Sequence, residues 1–473
     1  MTSAEFKKEA YRMVDLMVEY MDTIESYPVK SQVKPKEVYH QLPNDMPRHG
    51  ESMDQILSDF REVIMPGITH WQHPNFYAYF QANASPPSIL AEMLTATLGV
   101  QGMKWDTSPA STELEEKVMS WLSRAIKLPS SWEGVIQSTA SDSTLCALLT
   151  AREQRSDYAI NQRGFKADQT YRVYCSTETH SSGEKAAKIA GIGQQNVVKI
   201  GTHDLQAIST EDLLKNIQQD IEAGYTPLCV MATLGTTSTL AMDAIGAIAA
   251  ITSEHNIWLH IDAAYAGAAL ILPEYQHLIE GIEIADSFVF NPHKWLFTNF
   301  DCSAYFVKDP VALKNTFAIL PEYLKTSSDS VVNNHCDWGI PLGRRFRSLK
   351  LWFVLRYYGL TGLQEILRGH IEMAAWVEKQ VVEHKDFELM TPRSMNLVCF
   401  RWHPSAIHDD EQLERFNQSL LQEINQSGEL YMTHTRIKEK LTLRMSIGQL
   451  KATKEHVQGA WETIVRISNS IAK

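Results

Sequence analysis

Seven short apolar runs, "GVIQ", "YRVYC", "NVVKI", "PLCVMATLG", "IWLHID", "DSFVFN" and "CSAYFV", lie between residues 84 and 370, with helical patterns separating them. Runs this short and rich in β-branched residues are strands buried on both faces, and intervening helices carry the chain back so that successive strands run parallel. The pattern predicts a mostly parallel α/β sheet for residues 84–370. Ahead of it, residues 1–83 read as an N-terminal helical segment. Phe6, Ala10, Met13, Met17 and Met21 recur at helical spacing behind a Thr2-x-x-Glu5 capping box. Their apolar face requires a partner, which a second subunit would supply. Behind the sheet, residues 371–473 read as a small α+β domain: a helix, "NLVCFRWH" and "KLTLRMSIG" as strands, and a last helix ending near Ile471.

The chain has 473 residues, 44% of them hydrophobic and 21% charged, enough to bury a large core. A net charge of −12 disfavours nucleic acid and anionic membranes, which attract positive fields, and leaves a small molecule as the expected partner. Six scattered cysteines without a CxxC pair indicate neither a disulfide framework nor a metal site. The first residues lack the apolar core of a signal peptide and no apolar stretch is long enough to span a bilayer, so a cytoplasmic protein is expected.

In an open parallel sheet ligands bind beyond the carboxyl ends of the strands. After "GVIQ" come Ser138, Thr139, Ser141 and Ser143 at a helix start, where free N–H groups and the helix dipole can cradle a phosphate. The same residues would serve as an ordinary helix cap. No GxxxxGK[ST] or GxGxxG motif is present, so nucleotides fit poorly. "YRVYCSTETHSS" places His180 at the next strand end, where an imidazole can stack on a ring. "MATLGTTS" supplies Thr236 and Thr237. "IWLHIDAAYAG" ends its strand on Asp262, followed by small residues that would let a flat ring approach. "NPHKW" puts Lys294 just past another strand. A lone lysine there would snorkel into solvent, but with these neighbours it reads as an amine nucleophile. A phosphate cradle, a stacking ring, a carboxylate for a pyridinium nitrogen and a lysine for an aldehyde together describe a site for pyridoxal 5′-phosphate.

The segments "IMPGITHWQHPNFYAYF", "SPASTELE", "ATLGTT", "WLHIDAAYAG", "FNPHKWL", "NFDCSA" and "IPLGRRFRSLKLWFVLR" carry a resemblance over essentially the whole chain. The sequence resembles the group II pyridoxal-dependent decarboxylases, and among them the aromatic-L-amino-acid decarboxylases. The resemblance implies the type I, aspartate-aminotransferase-like fold and a homodimer with composite active sites. It implies that Lys294 forms the Schiff base, that Asp262 pairs with the pyridine nitrogen, that His180 stacks on one face of the cofactor and that Ala264 backs the other. Ala140, Ser141 and Asn291 would contact the phosphate, with His293 beside it and Thr237 near the ring. Trp71, Tyr79, Phe80, Met103 and Gly343 would line the substrate pocket, and Tyr323, on a mobile loop, would donate the proton that completes decarboxylation. Gln81, Ala82, Gln101, Met103 and Asp106 depart from the animal enzymes and bear on the choice of aromatic substrate. Alternatives are an aromatic aldehyde synthase and a decarboxylase of another amino acid such as histidine. The basic run "GRRFRSLK" is expected to pair with carboxylates or lie at an interface.

Overall fold

The computed structural model describes residues 1–166, 169–319 and 332–471. Compactness divides the chain into one unit of residues 82–369 and another of residues 1–81 with 370–473. The sequence-based cuts fall close to these, but the first and last of its three parts are grouped here in one unit.

All seven expected runs form strands of a single sheet in the larger unit: β1 (Glu133–Gln137), β2 (Tyr171–Ser176), β3 (Val197–Ile200), β4 (Thr226–Thr233), β5 (Trp258–Asp262), β6 (Ser287–Phe290) and β7 (Ser303–Val307). Their order is β1-β7-β6-β5-β4-β2-β3. Pairs from β3 through β6 are parallel, whereas β7 runs antiparallel to both its neighbours. The centre is fully covered: every residue of β5, β6 and β7 is buried. Burial on both faces is why these runs are continuously apolar and not alternating. Burying each large aliphatic or aromatic side chain contributes about 1.5–3 kcal/mol.

The small residues after Asp262 do two different jobs. Ala264 is half-buried, but Gly267 packs so closely on β6 that a Cβ there would lie 2.4 Å from Phe290 Cβ. The glycine thus permits close packing of the turn on the strand, and only Ala264 among this group is left at the strand end.

The other unit contains a four-stranded antiparallel sheet in the order β10-β11-β9-β8, built from β8 (Phe387–Leu389), β9 (Leu397–Trp402), β10 (Thr433–Ile437) and β11 (Lys440–Ser446). Its core joins Val398, Phe400, Leu443 and Met445 to Leu420, Ile424, Trp461 and Ile464 of the helices Asp410–Ser427 and Lys454–Ile471. β9 and β11 are the two expected strands. β8 is only three residues long, and β10 is a polar edge strand with alternate residues exposed, so neither stands out in the sequence. The helix Ser3–Thr23 carries the expected Thr2–Glu5 capping box, yet none of its residues is buried.

Among the described residues no helix is long and apolar enough to cross a membrane, and no group of three or more His, Cys, Asp or Glu could hold a metal ion.

Candidate active site

The register of the sheet places the chemistry. Asp262, the last residue of β5, lies opposite Thr233 on β4 and Val289 on β6. Its carboxylate turns back to accept the Ala264 N–H at 3.0 Å, which fixes the side chain at the strand end. The Ala264 carbonyl accepts the Asn291 N–H at 2.9 Å, and the Asn291 carbonyl accepts the Lys294 N–H at 2.9 Å. These links run from Asp262 to Lys294 without leaving the ends of β5 and β6. Asn83 holds the far side, donating its side-chain N–H to the Lys294 carbonyl at 2.9 Å and its backbone N–H to the His293 carbonyl at 3.2 Å.

Burial lowers the pKa of the Lys294 amine, and the negative charge of Asp262 opposes that fall. An amine easier to deprotonate is a better nucleophile at neutral pH. His180 caps the helix Ser181–Ile189, and its Nδ1 accepts the Ser182 N–H at 3.2 Å with Ser182 Oγ 2.8 Å away. Nε2 therefore carries the ring proton in the neutral form. Desolvation depresses this imidazole, Asp262 opposes the shift and the Lys294 charge adds to it. His180, Asp262 and Lys294 are thus near enough to feel one another's charge.

On the opposite side, Thr139 caps the helix Ala140–Arg155 through a reciprocal bond with Asp142, leaving Ser141 exposed in the first turn. Ala140 belongs to the same apolar cluster as Val135 and Val289, against which Ala264 packs. Ser303, paired with Gln137 at the end of β1, donates to Asn291 Oδ1 at 2.7 Å and draws Asn291 toward that helix entry. His293 is buried; its Nδ1 accepts the Cys302 N–H at 2.8 Å, and burial first, then the Lys294 charge, pushes its pKa down to about 3. It is a neutral ring whose Nε2–H is the donor. Thr237 is exposed in the turn after β4, while Thr236 is buried and accepts the Ala241 N–H at 3.0 Å.

Met103 and Gly343 lie on two segments of this unit joined by the Gly102 N–H to Arg344 carbonyl bond of 2.8 Å. A Cβ on Gly343 would meet only Gln101 Oε1, at 3.5 Å. The basic run pairs with carboxylates as expected: Arg344 with Glu115, Arg345 with Glu92 and Asp301, Arg347 with Asp301, and Lys350 with Glu92.

The aromatic candidates lie in the other unit. Trp71 stacks on Tyr79 with ring centroids 5.7 Å apart and planes 14° from parallel, and both are partly exposed. Tyr79 OH meets Tyr431 OH at 3.2 Å. Phe80 is buried beneath the Arg444 guanidinium, 5.4 Å from its ring centre. Gln81, expected to bear on substrate choice, is instead fully buried and engaged at both ends of its amide. It donates to the Phe76 and Ser446 carbonyls at 2.9 and 2.7 Å and accepts from Ser446 Oγ at 3.2 Å. Tyr323 lies outside the described residues.

Sequence reasoning missed Asn83 and Ser303, which position Lys294 and Asn291. Both act through hydrogen bonds to residues outside their own segments, and no local pattern marks such a role. The donor set suits pyridoxal phosphate: a depressed amine, a carboxylate, an imidazole and a helix start with Ser141 exposed in its first turn all follow the carboxyl ends of strands of one sheet.

The conserved domain of pyridoxal-dependent decarboxylases matches residues 35–403. Over 472 residues the chain is 42% identical to tyrosine decarboxylase 2 of Narcissus pseudonarcissus, covering 98% of this chain and 93% of that one. It is 43% identical over 475 residues to phenylacetaldehyde synthase of Arabidopsis thaliana, covering 98% and 96%. The crystal structure of Oryza sativa TDC with PLP and tryptamine superposes with a TM-score of 0.96 at 34% identity, over 100% of this chain and 99% of that one. Likeness on this scale, together with the mostly parallel sheet, identifies the fold as type I and makes this chain a member of the pyridoxal-dependent decarboxylase family.

Proposed function

We propose that the protein decarboxylates aromatic L-amino acids, such as dihydroxyphenylalanine, 5-hydroxytryptophan, tryptophan, tyrosine or phenylalanine, to arylalkylamines and carbon dioxide. The observation that carries this reading is that His180, Asp262 and Lys294 follow the carboxyl ends of β2, β5 and β6 of one sheet and act on one another electrostatically, with the amine depressed by burial. When bound, pyridoxal phosphate supplies an aldehyde for amines and a ring that accepts the electron pair released with carbon dioxide. Lys294 Nζ would hold that aldehyde, and Asp262 would favour a proton on the ring nitrogen. His180 and Ala264 would flank the ring, and Ala140, Ser141, Asn291 and His293 would hold the phosphate end. By the family resemblance Trp71, Tyr79 and Phe80, and separately Met103 and Gly343, would contact the aromatic side chain.

The helix Ser3–Thr23, with Phe6, Tyr11, Val14 and Val18 exposed, supports a homodimer in which a second copy covers that face. Unpaired cysteines throughout the chain support a cytoplasmic location. The three-part division at 83/84 and 370/371 is kept as a functional one: dimer-forming, cofactor-binding and C-terminal.

A second reading has direct support in the similarity to a phenylacetaldehyde synthase. In such a reaction the amino acid, oxygen and water are converted to aldehyde, carbon dioxide, ammonia and hydrogen peroxide. Tyr323, in the role the resemblance gives it, would favour amine formation by supplying a proton to the substrate carbon. Amine, aldehyde and peroxide are to be measured from a panel of aromatic amino acids and histidine, under air and under argon. The parent should yield amine in both atmospheres, and Tyr323→Phe should yield aldehyde and peroxide only under air. Histidine as the best substrate, or aldehyde as the parent's main product, would displace this reading; amine alone from an active Tyr323→Phe enzyme under air would remove Tyr323 from it.

A further inference from the structure

Away from the strand-end chemistry, the helix Pro109–Ala125 buries Glu115 with its side chain 2% exposed. Three groups converge on that carboxylate. Arg344 Nη2 donates to Oε1 at 2.6 Å, the Ile136 N–H of β1 donates to the same oxygen at 2.8 Å, and His335 Nδ1 stands 4.0 Å away. Arg344 also donates to the Ile136 carbonyl at 2.7 Å. The pair is therefore bolted to both polar groups of one strand residue. Burial would raise the Glu115 carboxyl, but the Arg344 charge and these hydrogen bonds outweigh it, and the group stays ionised. Burial pushes His335 down to about 4, so it stands neutral beside the carboxylate.

From this pair the contacts continue outward. The Arg344 carbonyl accepts the Gly102 N–H at 2.8 Å, and the Met103 carbonyl accepts the Cys336 N–H at 2.9 Å. Trp105 N–H donates to Asn334 Oδ1 at 3.1 Å, tightening the same junction. His335, next to Cys336, packs beside Glu115, its Nδ1 4.0 Å from Oε1 and not hydrogen-bonded to it. Gly102 leaves no slack, since a Cβ there would lie 2.6 Å from Ser111 Oγ in the first turn of the Glu115 helix. The two residues of this unit assigned to the aromatic pocket, Met103 and Gly343, are the immediate neighbours of Gly102 and Arg344.

We propose that Glu115 is a positioning residue for substrate selectivity: through Arg344, whose carbonyl holds Gly102, and with His335 packed beside it, it sets the spacing between the Met103 and Gly343 segments, and hence the width offered to the aromatic side chain. It touches neither cofactor nor substrate. The inference rests on the proposed placing of Met103 and Gly343 in the pocket. Replacing the carboxylate with an amide keeps its size but leaves Arg344 buried without a counter-charge, so the guanidinium and the backbone it carries must shift.

The test uses holoenzyme and compares Glu115→Gln, the double variant Glu115→Met with Arg344→Met, Gly343→Ser and Met103→Ala. The readouts are kcat and KM for tryptophan and tyrosine, with cofactor content measured by absorbance and by borohydride fixation at Lys294. Glu115→Gln is expected to change the ratio of the two kcat/KM values by about tenfold, mainly through KM, with cofactor content kept. The double variant, which tolerates burial if the single one does not fold, should shift the ratio as well. Equal loss for both substrates, or an unchanged ratio in a folded and loaded variant, overturns the inference. If Gly343→Ser and Met103→Ala move the ratio while neither Glu115 variant does, the positioning role alone fails. If those two leave the ratio unchanged, the pocket assignment fails and takes the inference with it.

Discussion

At Lys294 burial prevails over the nearby Asp262 charge and the amine becomes easier to deprotonate; at Glu115 the Arg344 charge and its hydrogen bonds prevail over burial and the carboxyl becomes harder to protonate. Both are buried neighbourhoods of opposite charge in the same unit. The difference lies in what surrounds the pair. Glu115 accepts from a guanidinium and a backbone N–H, a geometry that satisfies the ionised form. Asp262 accepts the Ala264 N–H while it sits at a strand end, and its attraction only moderates the desolvation of Lys294. A saturated pair fixes structure, and an unequal one prepares reactivity.

The largest effect that would break this contrast belongs to Lys294→Ala. It should abolish turnover and remove covalent fixation by borohydride, because it removes the Nζ amine from that strand end. Peptide mapping of the reduced protein checks it, and labelling at a different lysine would reassign the nucleophile. Next comes stability at the other pair. Removing one partner of a buried ion pair typically costs about 3–5 kcal/mol, whereas replacing both with apolar residues of similar volume costs far less. Glu115→Met alone should therefore lower the urea midpoint well below that of the variant carrying Arg344→Met as well. Equal midpoints for the two variants would show that the carboxylate does not neutralise Arg344. The smallest effect is a shift along the pH axis. Asp262 opposes the fall in the Lys294 pKa, so Asp262→Asn should lower it further and move the midpoint for capture of pyridoxal phosphate by the apoenzyme to lower pH. Rapid mixing across a pH series measures that midpoint. No movement, or movement toward higher pH, would mean that Asp262 does not act on the amine.

The contrast also explains what could be read without coordinates. Asp262, His180 and Lys294 follow apolar runs that announce strands, and the rule that ligands gather at carboxyl ends brings them together. Glu115 and Arg344 are 229 residues apart, each in a polar helical or turn context that reads as solvated surface. Only the third dimension reveals that both are buried. Gln81 was misjudged for a related reason: beside Phe80 it looks like pocket lining, yet its amide closes hydrogen bonds to Phe76 and Ser446. The strands β8 and β10 were overlooked because a three-residue strand and a polar edge strand lack the burial that writes apolar runs into sequence.

The antiparallel strand β7 has a consequence during synthesis. It lies between β1 and β6, so β1, whose end leads into the Ala140–Arg155 helix, has no hydrogen-bonded neighbour in the sheet until Ser303–Val307 has been made. At about 5–20 residues per second that interval lasts roughly 10–35 s on the ribosome. Throughout it β1 presents bare edge groups to the cell, and the helix entry lacks its place opposite Asn291. The pocket wall formed by β1 and the helix after it is therefore completed only when β7 pairs with it.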